Sequence, residues 1–120
     1  MSHPSKVRGT RWESAVRDWW NARPMFPTGG PRAMLFRPAL HGKDDKGDLF
    51  GLPGWTLQCR DTAKIDLAGA VDDARQQAVN GRTPFFAAIV KRRRRGVDEA
   101  YVVMPLDVFA AIADSSSKSM

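Results

Sequence analysis

This 120-residue sequence lacks several features that would place it in a whole class of proteins. It has one cysteine, Cys59, so it can form neither an internal disulfide nor a cluster of thiolate metal ligands. No apolar run approaches the ~20 residues that span a bilayer, and the N-terminal residues lack the apolar centre of a signal peptide. These absences predict an intracellular, cytoplasmic protein with no membrane partner, in which Cys59 is a small buried residue.

Familiar ligand-binding patterns are missing as well. The acidic stretch DDKGD at residues 44–48 has neither the alternating oxygen ligands nor the closing glutamate of a calcium loop. The stretch TGG at residues 28–30 lacks the lysine and the helical context of a phosphate-binding loop. The histidines His3 and His41 stand alone in the sequence and are expected at the surface. No internal repeat is present, so the length predicts one globular domain.

Positive charge, in contrast, is abundant. The formal net charge is +6, which favours a polyanionic partner, and we expect that partner to be nucleic acid. Five consecutive cations form the run KRRRR at residues 91–95. The predicted DNA-contacting residues are Arg8, Arg11, Arg17, Lys64, Lys91, Arg92, Arg93, Arg94 and Arg95. A solvated loop and a nuclear-localisation segment remain alternative interpretations of the run.

Hydrophobic periodicity predicts three helices and five strands. The first helix covers residues 10–23, with Thr10 as N-cap and Glu13 in a capping box. The second follows the cap residue Asp66 and ends at Asn80-Gly81, and Pro105 opens a short third helix. The predicted strands cover residues 33–40, 48–52, 55–60, 84–90 and 100–104. Residues 1–9 are predicted to be a flexible basic N-terminus, and residues 115–120 a disordered tail.

The order αβββαββα predicts an α/β fold with a mixed central sheet and helices on its faces, in one domain over residues 10–114. The strand at residues 84–90 is continuously apolar, which predicts burial on both faces. The strand at residues 55–60 alternates instead, so Gln58 and Arg60 lie together on the face opposite Leu57.

The candidate catalytic groups lie on the alternating strand at residues 55–60 and at Asp48 before it. Hydrolysis of phosphodiesters with divalent metals needs oxygen ligands that converge on one or two ions and a cation near the scissile phosphate. Asp48 on the second predicted strand, followed across a hairpin by Gln58 and Arg60, supplies these groups. Because side chains alternate along a strand, Gln58 and Arg60 share a face.

This arrangement resembles the PD-(D/E)xK nuclease superfamily, and within it the small phage and archaeal-type Holliday junction resolvases. The resemblance covers residues 9–113 through the stretches GTRWESAVRDWW, KGDLFGLPGWTLQCRD, LAGAVDDARQQA and PFFAAIVKRRRRGVDEAYVVMPLDVF. It implies a restriction-endonuclease-like αβββαβ core and a homodimer that cuts branched or four-way DNA in recombination with Mg²⁺ or Mn²⁺. If the chain is encoded by a phage, its location is the host-cell cytoplasm.

The resemblance also implies the site residues. Asp48 matches the first metal-binding acid of the family, and Glu13 matches the extra acid that many resolvases place beside the metal. Gln58 stands where the family usually has Glu or Asp, and Arg60 where it usually has Lys. The implied metal ligands are Glu13, Asp48 and Gln58, and the implied catalytic residues are these three together with Arg60.

Two of these positions depart from the family pattern. Gln58 offers an amide oxygen without a charge, so metal affinity should fall. Arg60 can hold a phosphate and stabilise developing charge, but its guanidinium stays protonated and cannot act as a base. Lys64 is a possible substitute cation, and Asp61 a possible substitute carboxylate, although a regular strand would turn Asp61 to the opposite face.

Several alternatives stay open at the level of sequence. Glu13 can be a capping residue only, and Asp48 an ordinary turn acid. Gln76 and Gln77 can be solvated helix residues or can face DNA or the metal's water shell. Of the adjacent Trp19 and Trp20, one is expected in the core and the other on a dimer surface or against DNA bases.

The function has alternatives too. A catalytically degenerate module with the same fold could bind DNA or a host protein, and the Gln58 and Arg60 replacements favour that interpretation. A domain that binds no nucleic acid is a third possibility, but it leaves the basic run unexplained.

Overall fold

The computed structural model describes the backbone of residues 4–23, 33–38 and 47–118, and the side chains of residues 9–23, 33–38 and 47–115. Along this part of the chain the elements are α1 (Pro4–Ala22), β1 (Trp55–Arg60), α2 (Leu67–Gly81), β2 (Phe85–Val90), a 3-10 turn (Val97–Glu99), β3 (Tyr101–Val103) and α3 (Leu106–Lys118). The predicted α/β class is therefore confirmed. None of the helices described is long and apolar enough to cross a membrane.

The described strands form one mixed sheet in the order β1-β2-β3. β1 and β2 run parallel, with Gln58 opposite Ala88, while β2 and β3 run antiparallel, with Ile89 opposite Val102. The central strand β2 is covered on both faces because all of its side chains are apolar, and Ala87 and Ala88 are almost completely buried. The predicted burial on both faces is confirmed for residues 85–90, while Pro84 precedes the strand and is exposed.

Helices α1 and α2 cover opposite faces of the sheet. Trp12 and Val16 of α1 pack with Leu57 and Cys59 of β1, and the Trp12 indole N–H donates to the Ile89 carbonyl over 3.1 Å. On the other face, α2 presents a stripe of small residues at helical spacing, Ala70, Ala74 and Ala78, to Phe86, Ala88 and Val90. The alternation along β1 therefore separates an α1 face from an α2 face.

The first two predicted strands are much shorter than expected. Within the residues described, segments 33–40 and 48–52 contribute only the isolated antiparallel bridges Phe36–Phe50 and Leu49–Leu57, and residues 39–40 lie outside that part. Gly51 explains the break, because it has φ +114° and a Cβ there would lie 2.0 Å from the Met34 carbonyl oxygen. The backbone turns away at this close approach, so the ladder cannot extend.

Helix α1 begins at Pro4 rather than at Thr10. Thr10 consequently lies inside the helix, and the predicted capping box with Glu13 is wrong. Proline is well suited to the first helical position because its φ is already helical. Of the segment predicted as a flexible N-terminus, residues 4–9 are helical, whereas residues 1–3 lie outside the description.

The other helix ends differ less. The Asp66 carboxylate accepts from the Gly69 N–H over 2.9 Å, which confirms Asp66 as the cap of α2. The left-handed residue that ends α2 is Arg82, with φ +57°, one residue beyond the predicted Asn80-Gly81. Helix α3 continues through residue 118, so residues 115–118 of the predicted disordered tail are helical, because no glycine or proline interrupts the serine-rich segment.

Candidate functional site

A polar cavity of about 340 Å³ lies between the end of β1 and helix α2. Its lining combines the loop before β1, the outer half of β1 and one side of α2, and consists of Asp48, Gln58, Arg60, Asp73, Gln76, Gln77 and Asn80. Three of the four predicted catalytic residues, Asp48, Gln58 and Arg60, therefore meet in one place. The alternation of β1 turns Gln58 and Arg60 towards α2, as the sequence predicted.

Asp48 reaches the cavity because two hydrogen bonds attach its loop to the edge of β1. The Asp48 N–H donates to the Leu57 carbonyl over 2.9 Å, and the Asp48 Oδ2 accepts from the Cys59 N–H over 2.8 Å. The carboxylate thus lies beside the backbone of Gln58. Asp48 therefore has a defined position at the edge of β1.

Gln58 is the least exposed polar side chain of β1 that faces the cavity. It is only 7% exposed, and within the described part of the chain its Oε1 atom is buried without a hydrogen-bond partner. A buried amide oxygen left in this condition costs about 1–3 kcal/mol, so it favours a donor or a cation in the cavity. Carboxylate and amide oxygens are also the ligands that Mg²⁺ prefers, and the lining of the cavity offers both kinds.

Arg60 forms an ion pair with Asp73 of α2. The Asp73 side chain is 59% exposed, so the pair lies at the mouth of the cavity and contributes at most about 1 kcal/mol to stability. Asp73 was missed in the sequence interpretation. A polar stripe along one side of α2 could have indicated Asp73 from the sequence. The stripe follows the helical spacing i, i+3, i+4 and i+7 and consists of Asp73, Gln76, Gln77 and Asn80.

Glu13 is not brought into this cavity. It lies on α1, across β1 from Gln58, where its Oε2 accepts from the Arg37 Nε over 3.1 Å and a second Arg37 nitrogen donates to Ser14 over 3.2 Å. Of the predicted ligand set of Glu13, Asp48 and Gln58, only Asp48 and Gln58 line the cavity. Within the described residues, no group of three or more His, Cys, Asp or Glu side chains could hold a metal ion.

Two carboxylates act on the buried thiol of Cys59, those of Asp48 and Glu13. Burial raises the pKa of the Cys59 thiol well above its usual range, the negative charges of Asp48 and Glu13 raise it further, and Arg37 partly offsets them. Asp48 and Glu13 thus approach the same strand residue. Glu13 does so from the α1 side, while Asp48 also lines the cavity on the α2 side.

The two substitutes considered for the altered site do not reach the cavity. Asp61 has a side chain only 5% exposed, and its carboxylate lies 3.8 Å from the Lys91 ammonium. That ammonium lies 5.8 Å from the centre of the Trp12 ring, so this pair belongs to the α1 face, as a regular strand predicts. Lys64 is exposed in the loop that leads to α2 and does not line the cavity.

The basic run leaves the sheet at the edge where the cavity lies. Lys91 follows β2 directly and donates its N–H to the Arg60 carbonyl over 3.0 Å. Arg92 to Arg95 then form a tight turn, closed by the Arg95 N–H and the Arg92 carbonyl over 3.3 Å. The carboxyl ends of parallel strands meet at one edge of a sheet, so the run of five cations begins beside the backbone of Arg60.

The cations of this turn differ in their contacts. Arg92 and Arg95 lie 3.9 and 3.7 Å from Glu99 of the 3-10 turn. Arg93 and Arg94 are exposed and make no ion pair with any residue that the structure describes. Arg94 also has a left-handed backbone, with φ +63°, an unfavourable conformation for a residue with a side chain. The turn therefore presents three exposed cations, and two of them, Arg93 and Arg94, have no ion pair among the described residues.

The remaining predicted cations lie on α1. Arg17 pairs with its neighbour Asp18 over 2.9 Å, Arg11 is exposed, and the side chain of Arg8 lies outside the described residues. Of the two adjacent tryptophans, Trp20 packs against the core and donates its indole N–H to the Ala33 carbonyl over 2.8 Å. Trp19 is the exposed one.

No family model, no curated protein and no solved structure matches this chain.

Proposed function

We propose that this protein is a divalent-metal-dependent, structure-selective DNA endonuclease of the Holliday junction resolvase type. The observation that carries the proposal is the cavity in which Asp48, Gln58 and Arg60 converge, next to the exposed basic turn. These are the positions that the resemblance to the PD-(D/E)xK superfamily assigns to the metal and the phosphate. The combination of oxygen ligands, a fixed cation and a basic edge is suited to phosphodiester hydrolysis.

The topology of the described residues supports the same proposal. The unit β1-α2-β2, with its two strands parallel, corresponds to the second half of a restriction-endonuclease-like αβββαβ core. The antiparallel bridges Phe36–Phe50 and Leu49–Leu57 would represent the first two strands of the core in a reduced form. Asp48 would then occupy the end of the second strand, where the superfamily places its first acid.

Each cavity residue has a separate part in the proposed chemistry. Asp48 and Gln58 would hold Mg²⁺ or Mn²⁺, which when bound would polarise the scissile phosphate and acidify the attacking water. Arg60 would contact a phosphate oxygen and stabilise the charge that develops on it. Because a guanidinium keeps its protons, Arg60 holds the phosphate and takes no proton from water. Glu13, bound to Arg37 on the opposite face, has no part in this scheme.

The DNA would be recognised by shape. The exposed arginines of the turn and of α1 would contact phosphates, which give affinity without reading the base sequence. A homodimer would present two such sites about a two-fold axis, which suits a four-way junction. The edge strand β3 and helix α3 form an apolar groove of about 920 Å³ that includes Val102, Leu106 and Phe109, and we propose that a second copy of the chain covers it.

One observation favours the second candidate, a catalytically inactive DNA-binding module. Arg60 is already paired with Asp73, and Gln58 brings no charge to a cavity in which the superfamily usually has a carboxylate. Such a protein would keep the basic turn and bind branched DNA without cutting it.

The decisive experiment incubates the purified protein with a labelled four-way junction and a matched linear duplex, in Mg²⁺, Mn²⁺ or EDTA. We expect paired nicks in the junction that require the metal and that disappear in Asp48→Asn, while junction binding stays within about twofold. Asn keeps an oxygen that can accept from the Cys59 N–H, so the loop should keep its position. Junction binding without nicks would select the inactive module, and cutting by Asp48→Asn at the parental rate would refute the site.

A further inference from the structure

We propose that Asp73 supplies the second carboxylate of the cation site, with Asp48 and Gln58 as its other protein ligands. This inference rests on the proposed function and specifies the ligands of that site. Asp73 would replace two groups: the strand carboxylate that is absent at Gln58, and Glu13, which the fold places on the other face.

The packing of α2 brings Asp73 to the cavity. The buried stripe of Ala70, Ala74 and Ala78 presses α2 onto the sheet and fixes the rotation of the helix. Asp73 is the residue directly before Ala74, and it lies at the rim of the cavity that Asp48 and Gln58 also line. A hard cation there would have two carboxylates and one amide oxygen around it, and water would complete its coordination.

Gln58 gives independent support for a ligand at this position. Its side chain is more than nine-tenths buried and lines the same cavity, and in the described part of the chain its Oε1 accepts no hydrogen bond. An amide oxygen in this condition is a preformed neutral ligand. The two carboxylates provide the charge that Gln58 lacks.

In this arrangement, Arg60 and the cation would compete for the Asp73 carboxylate. The ion pair lies at a partly exposed position, where such pairs are weak and a cation can compete with the guanidinium. A cation bound to Asp73 would leave Arg60 free to contact the phosphate. Cation affinity and the Arg60–Asp73 pair therefore oppose each other.

Variants of Asp73 and Arg60 can distinguish a metal ligand from a residue that only positions Arg60. If Asp73 only positions Arg60, Asp73→Asn should weaken Mn²⁺ binding no more than Asp72→Asn does, since each variant removes one exposed negative charge. If Asp73 binds the cation, Asp73→Asn should weaken Mn²⁺ binding far more than Asp72→Asn, while Arg60→Gln should strengthen it. Asp73→Asn removes a ligand, whereas Arg60→Gln removes both a competitor for Asp73 and a nearby positive charge.

The test is a Mn²⁺ titration of the full-length protein, read by calorimetry and by the signal of free Mn²⁺ in electron paramagnetic resonance. Asp72→Asn is the matched control, because Asp72 is the exposed neighbour of Asp73 on α2 and does not line the cavity. We expect Asp73→Asn to weaken Mn²⁺ binding at least tenfold, Asp72→Asn to change it less than twofold, and Arg60→Gln to strengthen it. Unfolding midpoints without metal verify that each variant is folded.

The results also distinguish this inference from the proposed function. If the parent cuts junctions with Mn²⁺ while Asp73→Asn binds Mn²⁺ equally well, the inference is refuted and the nuclease proposal stands. Binding of Mn²⁺ that depends on Asp73 in a protein that cuts no junction supports the inference and refutes the nuclease. Equal losses in Asp72→Asn and Asp73→Asn would show only a general charge effect and would overturn the inference, as would a parent that binds no Mn²⁺.

Discussion

Cys59 contacts both the α1 face of β1, through its side chain, and the loop that carries Asp48, through its backbone. Its thiol is buried among the apolar side chains of the α1 face, while its backbone N–H holds Asp48 at the edge of the cavity. The burial that the sequence predicted for this lone cysteine is confirmed. Burial and the nearby carboxylates raise the pKa of the thiol, so it stays protonated and unreactive in the folded protein.

The raised pKa predicts how stability depends on pH. An unfolded cysteine loses its proton near its ordinary pKa of 9.0, whereas the folded thiol keeps it, so the unfolded chain gains stability as the pH rises above that value. Below this pH the thiol makes no difference. We expect the free energy of unfolding to fall more steeply in the parent than in Cys59→Ala between pH 9 and 10.5, by up to about 1.36 kcal/mol per pH unit.

Denaturant melts of both proteins across this range measure the difference, since every other titrating group is common to the two. Parallel curves would show that the thiol has the same pKa in the folded and unfolded states. Thiol labelling at neutral pH gives a second measure, and the folded parent should react only at the rate at which it opens.

The turn of residues 92–95 is the element with the clearest link to DNA. Of its three exposed arginines, Arg93 and Arg94 have no ion pair with the residues described, and Arg94 adopts a left-handed conformation that glycine or asparagine would adopt with less strain. An arginine in this conformation is consistent with a use for its charge.

Arg94→Asn and Arg82→Asn form a matched pair for testing the turn. Both arginines are exposed and left-handed, and each change removes one positive charge, but Arg82 lies at the opposite end of β2. We expect Arg94→Asn to reduce the slope of log K against log[salt] for junction binding by about 0.9, the value for one phosphate contact, and Arg82→Asn to leave it unchanged. Equal slopes in the two variants would remove the turn from the DNA surface.

The elements whose local sequence is unambiguous could be predicted well. Helix α2 has an acid cap and a regular alanine stripe, and β2 is a continuous apolar run, so both followed from the residues alone. The start of α1 and the first two strands could not be predicted in the same way. A threonine followed by Glu13 has the form of a cap, yet the helix begins at Pro4, and the strands near Gly51 are shortened by a close backbone approach that no local pattern reveals.

At the scale of the whole molecule, the apolar groove along β3 and α3 is the feature that bears on assembly. Val102 on the edge strand is 59% exposed, and Leu106 and Phe109 of α3 are exposed beside it. An antiparallel edge strand can pair with its own copy about a two-fold axis, which would join two sheets and cover the groove. The charged residues that we assign to DNA do not line this groove.

Val102→Lys should therefore convert a dimer into a monomer, because a charge on an edge strand opposes pairing. Val79→Lys is the control, since Val79 on α2 is 65% exposed and lies outside the groove. Light scattering coupled to size exclusion measures the mass of each variant, and we expect Val79→Lys to remain dimeric like the parent. A parent that is monomeric at all concentrations, or a dimer that survives Val102→Lys, would reject this interface.

The sequence by itself determined the α/β class, the buried central strand, the helix at residues 67–81 and the positive charge, because these depend on composition and on neighbours within a few residues. It also indicated that Gln58 and Arg60 share a face. Only the tertiary structure decided which carboxylates stand beside them. The packing of the alanine stripe brings Asp73 to the cavity, whereas Glu13 on α1 does not line it and accepts a hydrogen bond from Arg37 instead.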